Sequence, residues 1–463
     1  MSSILFFSSA AVRLSLVSAV CTVVLGAQVR TAAPTGSDAT GRRVDRPSPA
    51  LDSLLAVALE ANPKITAAAA HAQAVRTRIA PAGARPDPIL MAGLLNFPVS
   101  QPGFSDFMTM KMIGISQSLP YPGKLGLRTR AATDEARGAE ALVAAARLQV
   151  TQTVEDAYYD LAFLDRAMEI VTRNQAMLGS LAKVTEVQYT AGGGAQADLL
   201  RVQTEAARLS SQASTLVEAR HATLARLNAA LDRPSDIPVP DPSIPDRVAH
   251  AAVPDSAAEV HFTSAALGAR VVDSPLLPLD SIQALAVRLN PMLQAHEAEI
   301  QAQAARAELA NKARLPDFDV SLQYGQRRGR GDMVSAVISI PIPLQGGRNQ
   351  DAESAAAHAD LNALEAGHRS SVDSLRAEIA SSVSDIERSR TQLALSMSAI
   401  IPQARATLAS ATAGYQVGRV AFSSMIDAQA SLFTIETAYW LSLTDFAKSL
   451  ATLRRTVGAE VLR

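Results

Sequence analysis

The chain has one cysteine, no excess of charge of either sign and, beyond residue 30, no uninterrupted apolar run of about 20 residues. Each absence removes a class of protein. A single cysteine, Cys21, builds neither an internal disulfide framework nor a cysteine-rich zinc site. With 43 basic against 44 acidic side chains there is no basic stripe for a phosphate backbone, so no nucleic-acid partner is expected. Without a long apolar run the mature chain has no transmembrane helix. Its histidines (71, 221, 250, 261, 296, 358 and 368) include no pair at the three- or four-residue spacing of a helical metal site. His296-Glu297 lacks the second histidine of a zinc protease, and Gly192-Gly193-Gly194 lacks the Lys-Ser/Thr of a phosphate loop. No metal, cofactor or catalytic residue is expected.

What the chain does contain is a copy of itself. Leu51-Asp52-Ser53-Leu54, Ala58 and Asn62-Pro63 return as Leu279-Asp280-Ser281-Ile282, Ala286 and Asn290-Pro291. Tyr189, Gly192, Leu200 and Gln203 return as Tyr415, Gly418, Ile426 and Gln429 at nearly the same spacing. Two anchors this far apart and nearly in phase mean a duplicated architecture. The expected organisation is repeat one over 51–232, a linker over 233–278 and repeat two over 279–463. Eight prolines in that linker, from Pro234 to Pro278, argue against a regular helix there. Residues 1–27 read as a secretion signal: Arg13, the apolar stretch Leu14–Leu25, then Gly26-Ala27. Cys21 falls inside it, and Val20 before it is bulky where a lipobox residue is small. Residues 28–50 read as a flexible lead-in.

Each repeat has one plan. A first helix over about residues 51–80, kinked by Pro63, ends at a proline-rich break. A hairpin comes next. In repeat two Phe318, Val320, Leu322 and Tyr324 alternate with Asp319, Ser321 and Gln323, and Val334, Ala336, Ile338 and Ile340 share a face of the next strand. In repeat one the strands are Ile89–Phe97 and Phe107–Leu119. Met108, Met110 and Met112 share a face there, which reads as soft apolar packing toward lipid or a neighbour rather than as metal ligands. Pro/Gly punctuation then opens a helix of about 65 residues, on the order of 100 Å long. Its apolar spacing is that of a supercoiled seam: Val150, Val154, Ala157, Leu161, Leu164, Met168 and Val171, matched by Ile379, Val383, Ile386, Arg390, Leu393, Met397 and Ile400. Glycines break it, and a second helix returns.

Four strands with one apolar face do not close a barrel, and open edges are not tolerated in lipid. Membrane barrels need about eight strands or more. The chain is therefore expected to pool strands with copies of itself, and three chains supply twelve. The polar, alanine-rich helices must project into water.

Tyr415-Gln416-Val417-Gly418 with Met425-Ile426-Asp427-Ala428 after it, the twin Tyr189-Thr190-Ala191-Gly192 with Asp198-Leu199-Leu200, and the duplicated helix–hairpin–long-helix plan resemble the TolC-like outer membrane efflux proteins over nearly all of residues 51–460. The run Ser116-Gln117-Ser118-Leu119-Pro120-Tyr121-Pro122-Gly123-Lys124, with Pro402, resembles the heavy-metal (CzcC/CusC-type) branch. The resemblance implies a mainly α fold with a small β part. It implies a homotrimer with a twelve-stranded outer-membrane barrel, continued by a periplasmic α-helical barrel. It further implies a passive duct, joined through a periplasmic adaptor to an inner-membrane pump of the RND type, and no enzyme. Metal cations or small toxic compounds would be the cargo. A type I protein-secretion duct and a structural envelope coiled-coil protein are the alternatives.

In such proteins the two inter-helix turns form the periplasmic tip. The resemblance thus makes Tyr189, Gly192, Gly193, Tyr415, Val417 and Gly418 the adaptor-contact tip. It also makes Asp427 and Asp198 aperture residues, with Arg201 and Arg419 as partners. Asp198 also fits a helix cap, and Arg201 stands where repeat two has Asp427. Arg327, Arg328 and Arg330 form a basic hairpin turn; facing outward, they would meet lipopolysaccharide phosphates of the outer-membrane lipid.

Overall fold

A computed structural model describes residues 49–99, 106, 108–191, 195–253, 260–263, 268–271, 275–342 and 346–462. The signal segment 1–27 with Cys21, all but the end of the lead-in 28–50, and Gly192, Gly193 and Gly194 lie outside the described residues. Helices α1 (Pro49–Ala61), α2 (Pro63–Thr77) and α3 (Ile79–Gly83) lead to strands β1 (Ile89–Leu95) and β2 (Met110–Leu119), then to α4 (Lys124–Thr190) and its return α5 (Gln196–Ala230). A connecting stretch holds α6 (Asp246–Ala252), β3 (Val260–Thr263) and β4 (Gly268–Val271). The second half has α7 (Leu279–Leu289), α8 (Pro291–Asn311), β5 (Phe318–Arg327), β6 (Met333–Ser339), α9 (Gly346–Leu395), a π-helical turn at Ser396–Ile400, α10 (Ile401–Gln416) and α11 (Phe422–Val457). The fold is mainly helical with a small sheet.

The repeated Asn-Pro does more than kink a helix: it separates two. A residue before proline is pushed out of the helical region, and Asn62 is extended at φ −64°, ψ 124°. Its side chain then caps α2 by accepting from the Lys64 N–H at 2.9 Å, while its Nδ2 donates to the Ala230 carbonyl at 2.7 Å. Asn290 repeats both roles, accepting from the Met292 and Leu293 N–H groups and donating to the Thr456 carbonyl at 2.7 Å. Each copy is thereby closed on itself, with the start of its second helix tied to the last turn of its return helix.

The four strands form one antiparallel sheet in the order β1-β2-β5-β6, so repeat one pairs with repeat two through β2 and β5. Register assigns the faces. Ile113 lies opposite Tyr324, Ile115 opposite Leu322, Leu90 opposite Ile115, and Val320 opposite Ile338, which makes one continuous apolar face. That face is bare: Leu90 is 73% exposed and Ile338 68%. The other face is mixed, with Ser116, Ser321, Gln323 and Ser335 beside Ile89, Leu95 and Val337. Met110 and Met112 fall on this mixed face, opposite Arg327 and Gly325, and Met108 precedes the strand. The methionine stripe therefore does not share the face of Ile113 and Leu322; of the two packings expected, toward lipid or a neighbour, the neighbour is the one present, since Leu95 lies opposite Met110. Ile340 lies just beyond the end of β6.

Helix α4 runs for 67 residues, roughly 100 Å. Its seam is buried at Val150, Val154, Ala157, Leu161, Leu164 and Val171. In repeat two Ile379, Ile386 and Leu393 are buried, but Met397 and Ile400 are exposed. Pro402 explains the departure. It has no N–H and its ring crowds the carbonyl four residues back, so the chain widens into the π turn just before it. The extra residue in that turn rotates the end of the arm off the seam. Arg390, a polar seam residue, is buried with its Nε on the Ala251 carbonyl at 2.9 Å and its Nη1 on Glu387 at 3.1 Å. It thus holds α6 against α9. The linker is not irregular throughout, as its prolines suggested, because Pro245 sits at the start of α6, where a missing N–H costs nothing.

Packing mirrors the duplication. Helix α4 lies against α2 of its own copy and α8 of the other, while α9 lies against α8. The remaining combination, α2 on α9, is not among the helix packings of the described residues. Where the copies join, Lys124 is buried with its Nζ on the Leu315 carbonyl at 2.7 Å and on Asp317 at 2.8 Å.

Asn290→Ala is expected to lower stability by about 1–3 kcal/mol through loss of a cap and of a buried donor. Asn290→Asp, which keeps the acceptor but not the donor, should not restore it. The shift of the urea unfolding midpoint of the purified protein measures both.

Candidate functional site

The two inter-helix turns lie together at one end of the long helices. Helix α4 ends at Thr190, and α5 resumes from Ala195, an extended residue with no side-chain cap. Asp198 is therefore not the cap; it stands in the first turn of α5, where a carboxylate meets the positive end of the helix dipole. In repeat two the chain leaves α10 through Val417, turns at Gly418 with φ +70°, and enters α11 after Ala421. The Gly418 N–H reaches the Tyr415 carbonyl and the Arg419 N–H the Gly414 carbonyl, both at 2.9 Å. Val420 folds back so closely that a Cβ on Gly414 would lie 2.5 Å from its Cγ2.

The expected site residues separate into two groups. Arg201 and Asp427, which occupy the same position in the two copies, meet as an ion pair at 2.6 Å between α5 and α11. Tyr415 donates to the Gln188 side chain at 3.0 Å and stacks edge-on against Phe422. Partial burial raises its hydroxyl pKa, and the nearby Asp198 carboxylate adds to the effect. These contacts join arm one to arm two. Tyr189, Val417, Gly418 and Arg419 instead stand exposed on the end surface, and Arg419 makes no ion pair among the described residues. Gly192 and Gly193 are outside the described residues. Below the turns, Ile170, Val171, Leu178, Val202, Phe422, Met425 and Ile426 form an apolar cluster that supports both.

Several contributors were not singled out in the sequence. Gln188 and Gly414 occupy matching places before Tyr189 and Tyr415, so the difference between copies was a readable signal. Glu436 is buried and holds Arg173 of α4 and Arg405 of α10, the latter at 2.9 Å. Nothing local in the sequence marks it. Further along, Asp156 lines a polar cavity of about 420 Å³ with Asp385, Asp445 and Lys448. Its Oδ1 is buried without a hydrogen-bond partner. Burial pushes its carboxyl up to about 6, with Asp160 and Glu155 acting the same way and Lys448 opposing. Glu155 is also raised by burial, against the pull of Arg454 at 2.6 Å. Among the described residues no cluster of three His, Cys, Asp or Glu side chains holds a metal geometry. No helix of the described residues is long and apolar enough to cross a membrane.

The arrangement is a joint between two arms with charged side chains at its end, and among the described residues it contains no nucleophile–base pair. Comparison with known proteins agrees. The profile of the outer membrane efflux proteins matches residues 54–233 and 283–459. The fold is similar to the outer-membrane channel OprN, at 19% identity over 89% of this chain and 90% of that one, TM-score 0.73. It is similar to the outer membrane protein VceC of Vibrio cholerae, at 19% identity over 89% and 96%, TM-score 0.69. It is likewise similar to CusC, at 15% identity over 89% and 92%, TM-score 0.72. No curated protein sequence matches the chain.

Asp156 supplies a pH signature for the helical part. The folded carboxyl keeps its proton to about 6 while the unfolded one releases it near its ordinary 3.8, so its ionisation opposes folding. Stability is expected to fall as pH rises through that window. Asp156→Asn should flatten the slope and raise the thermal midpoint at neutral pH, as monitored by helical circular dichroism.

Proposed function

The chain belongs to the outer membrane efflux protein family, and we propose that it is the exit duct of a tripartite efflux system. In this reading three chains close a twelve-stranded barrel in the outer membrane, and their long helices continue it as a tube through the periplasm. The observation that carries the reading is a four-stranded sheet with two unpaired edges, β1 and β6, and a bare apolar face. In hydrocarbon, unpaired backbone groups cost several kcal/mol each, and closure with other copies removes both edges. The helix packing supports the same joint, since α2 of the next chain would fill against α9 the place that α8 fills against α4.

The duct does no chemistry of its own; its cargo is what the pump delivers. The Ser116–Lys124 run favours metal cations, alongside small toxic compounds. The exposed turn residues Tyr189, Val417 and Gly418 would meet a periplasmic adaptor that leads to an inner-membrane pump of the RND type. Deletion of the gene should sensitise cells to zinc, cobalt, copper or drugs; unchanged sensitivity to the whole panel counts against the reading.

The duplication sharpens two expectations. With Pro86-Asp87 aligned on Pro316-Asp317, the β2–β5 register transfers to β6 and β1 and pairs Ser339 with Met91 of the partner subunit. A Ser339→Cys, Met91→Cys double variant should therefore be cross-linked into trimers by a short thiol-reactive reagent, seen on denaturing gels.

At the tip, Arg201 and Asp427 are equivalent positions, so a pseudo-sixfold ring would alternate arginine and aspartate. Such a ring is self-neutralising, with Asp198 and Arg419 close by, and it focuses far less field than a ring of acid. Arg201→Asp is expected to increase cation preference in single-channel recordings, and Asp427→Ala to change conductance. Unchanged currents in both would remove these residues from the aperture.

A further inference from the structure

We propose that the loop end of the four-stranded sheet holds the phosphorylated headgroup of a lipid, in a notch that Lys111, Arg327 and Arg328 line with Gln326 and Thr109. The notch has a volume of about 350 Å³, and no carboxylate lines it. Register places it at the rim of the bare apolar face. Lys111 and Gln326 lie opposite each other, two residues beyond the Ile113–Tyr324 pair and on the same side of the sheet. Leu94 lies opposite Lys111 on its other flank and is half exposed. The cations therefore begin about 7 Å beyond Tyr324 along the strand, where the apolar band stops.

Three cations around one small notch repel one another, and an anion seated among them relieves that repulsion. A phosphate suits the set, since guanidinium groups donate to its oxygens in pairs and an ammonium adds a point charge. Asp332, the carboxylate of the β5–β6 turn, accepts from the Tyr324 hydroxyl and from the Arg327 backbone N–H at 3.3 Å, and it does not line the notch. Arg327 is braced, with Nε and Nη2 donating to the Gly331 carbonyl at 3.0 and 2.8 Å. The basic turn expected from the sequence is thereby rearranged: Lys111 joins from β2, and Arg330 is left out of the notch. Continuity with the apolar face makes the occupant a lipid. Ile113 is 52% exposed just below the cations, so acyl chains have a wall to lie on while the headgroup is held above. Membrane barrels place aromatic side chains at that boundary, as Tyr324 stands here.

The inference rests on the barrel proposed above for the direction in which the loop end faces; the binding chemistry needs only β2 and β5 of one chain. The test uses the full chain purified in detergent, with bound lipid read by native mass spectrometry. The probes are bis-phosphorylated lipid A and its dephosphorylated form, with inorganic phosphate as competitor. The wild type should retain the phosphorylated lipid, release it as salt is raised, and not retain the dephosphorylated form. A Lys111→Gln, Arg328→Gln variant should bind about 25-fold more weakly, roughly fivefold for each cation removed beside a charged lipid surface. Both side chains are exposed, so its circular dichroism should not change. Lys111→Arg with Arg328→Lys should retain the lipid, and so should Arg330→Gln. If the double glutamine variant does not fold, Arg328→Gln alone takes its place, with about a fivefold loss expected. Equal retention of the dephosphorylated lipid, unchanged retention by the glutamine variants, or an equal loss on Arg330→Gln overturns the notch. Displacement by inorganic phosphate at equal concentration overturns a lipid as its occupant. Failure to find trimers on gels would instead overturn the barrel, independently of lipid retention.

Discussion

An unpaired backbone N–H or C=O has no water to turn to in hydrocarbon, and this chain has a sheet with two such edges. The rest of the architecture depends on that constraint. In the barrel proposed above the sheet is continued on both sides, and a contact of the kind that would continue it exists inside the chain, where β2 of one copy pairs with β5 of the other. The duplication therefore supplies both the need for closure and its template. Lys124 shows how firmly that internal joint is made: its buried ammonium is satisfied by Asp317 and the Leu315 carbonyl, so loss of either partner would leave a buried charge.

The same economy governs the helices. Asn62 and Asn290 each cap one helix and bind the end of another, so neither copy needs its neighbour to fix its own ends. What binds copy to copy is different in kind. Beside the apolar cluster below the turns, Glu436 with Arg173, Tyr415 with Gln188, and Arg201 with Asp427 are polar contacts between the two arms. Of these, the exposed Arg201–Asp427 pair contributes roughly 0–1 kcal/mol. They set which arm lies where, which suits the adaptor contact proposed for the tip.

The copies agree where geometry demands it and differ where function does. Gly458 ends α11 with φ +82°, and Asp232 makes the matching turn in copy one at φ +52° despite its side chain. By contrast Pro402 has no twin, and its π turn bends only arm two out of its seam. Arg201 against Asp427 and Gln188 against Gly414 break the likeness at the tip. In the trimer proposed above, these differences would make a ring with threefold rather than sixfold chemistry.

Much of this was legible in the residues. Strand alternation at Phe318–Tyr324 and heptad spacing from Val150 to Val171 are local periodicities, and a backbone of fixed geometry converts them directly into faces and seams. The duplication is also visible without any coordinates. What the chain could not show is which residues meet across long separations. Register decided that Met110 and Met112 face away from Ile113 and Leu322, since a one-residue choice of pairing inverts every side chain of a strand. Tertiary packing decided that Asp198 is not a cap, that Arg201 and Asp427 are partners, and that Glu436 is buried. Sequence by itself determined the elements, their order and their repetition, because those depend on neighbours along the chain. The tertiary structure alone decided partners and faces, because those depend on distances between segments that no local pattern encodes.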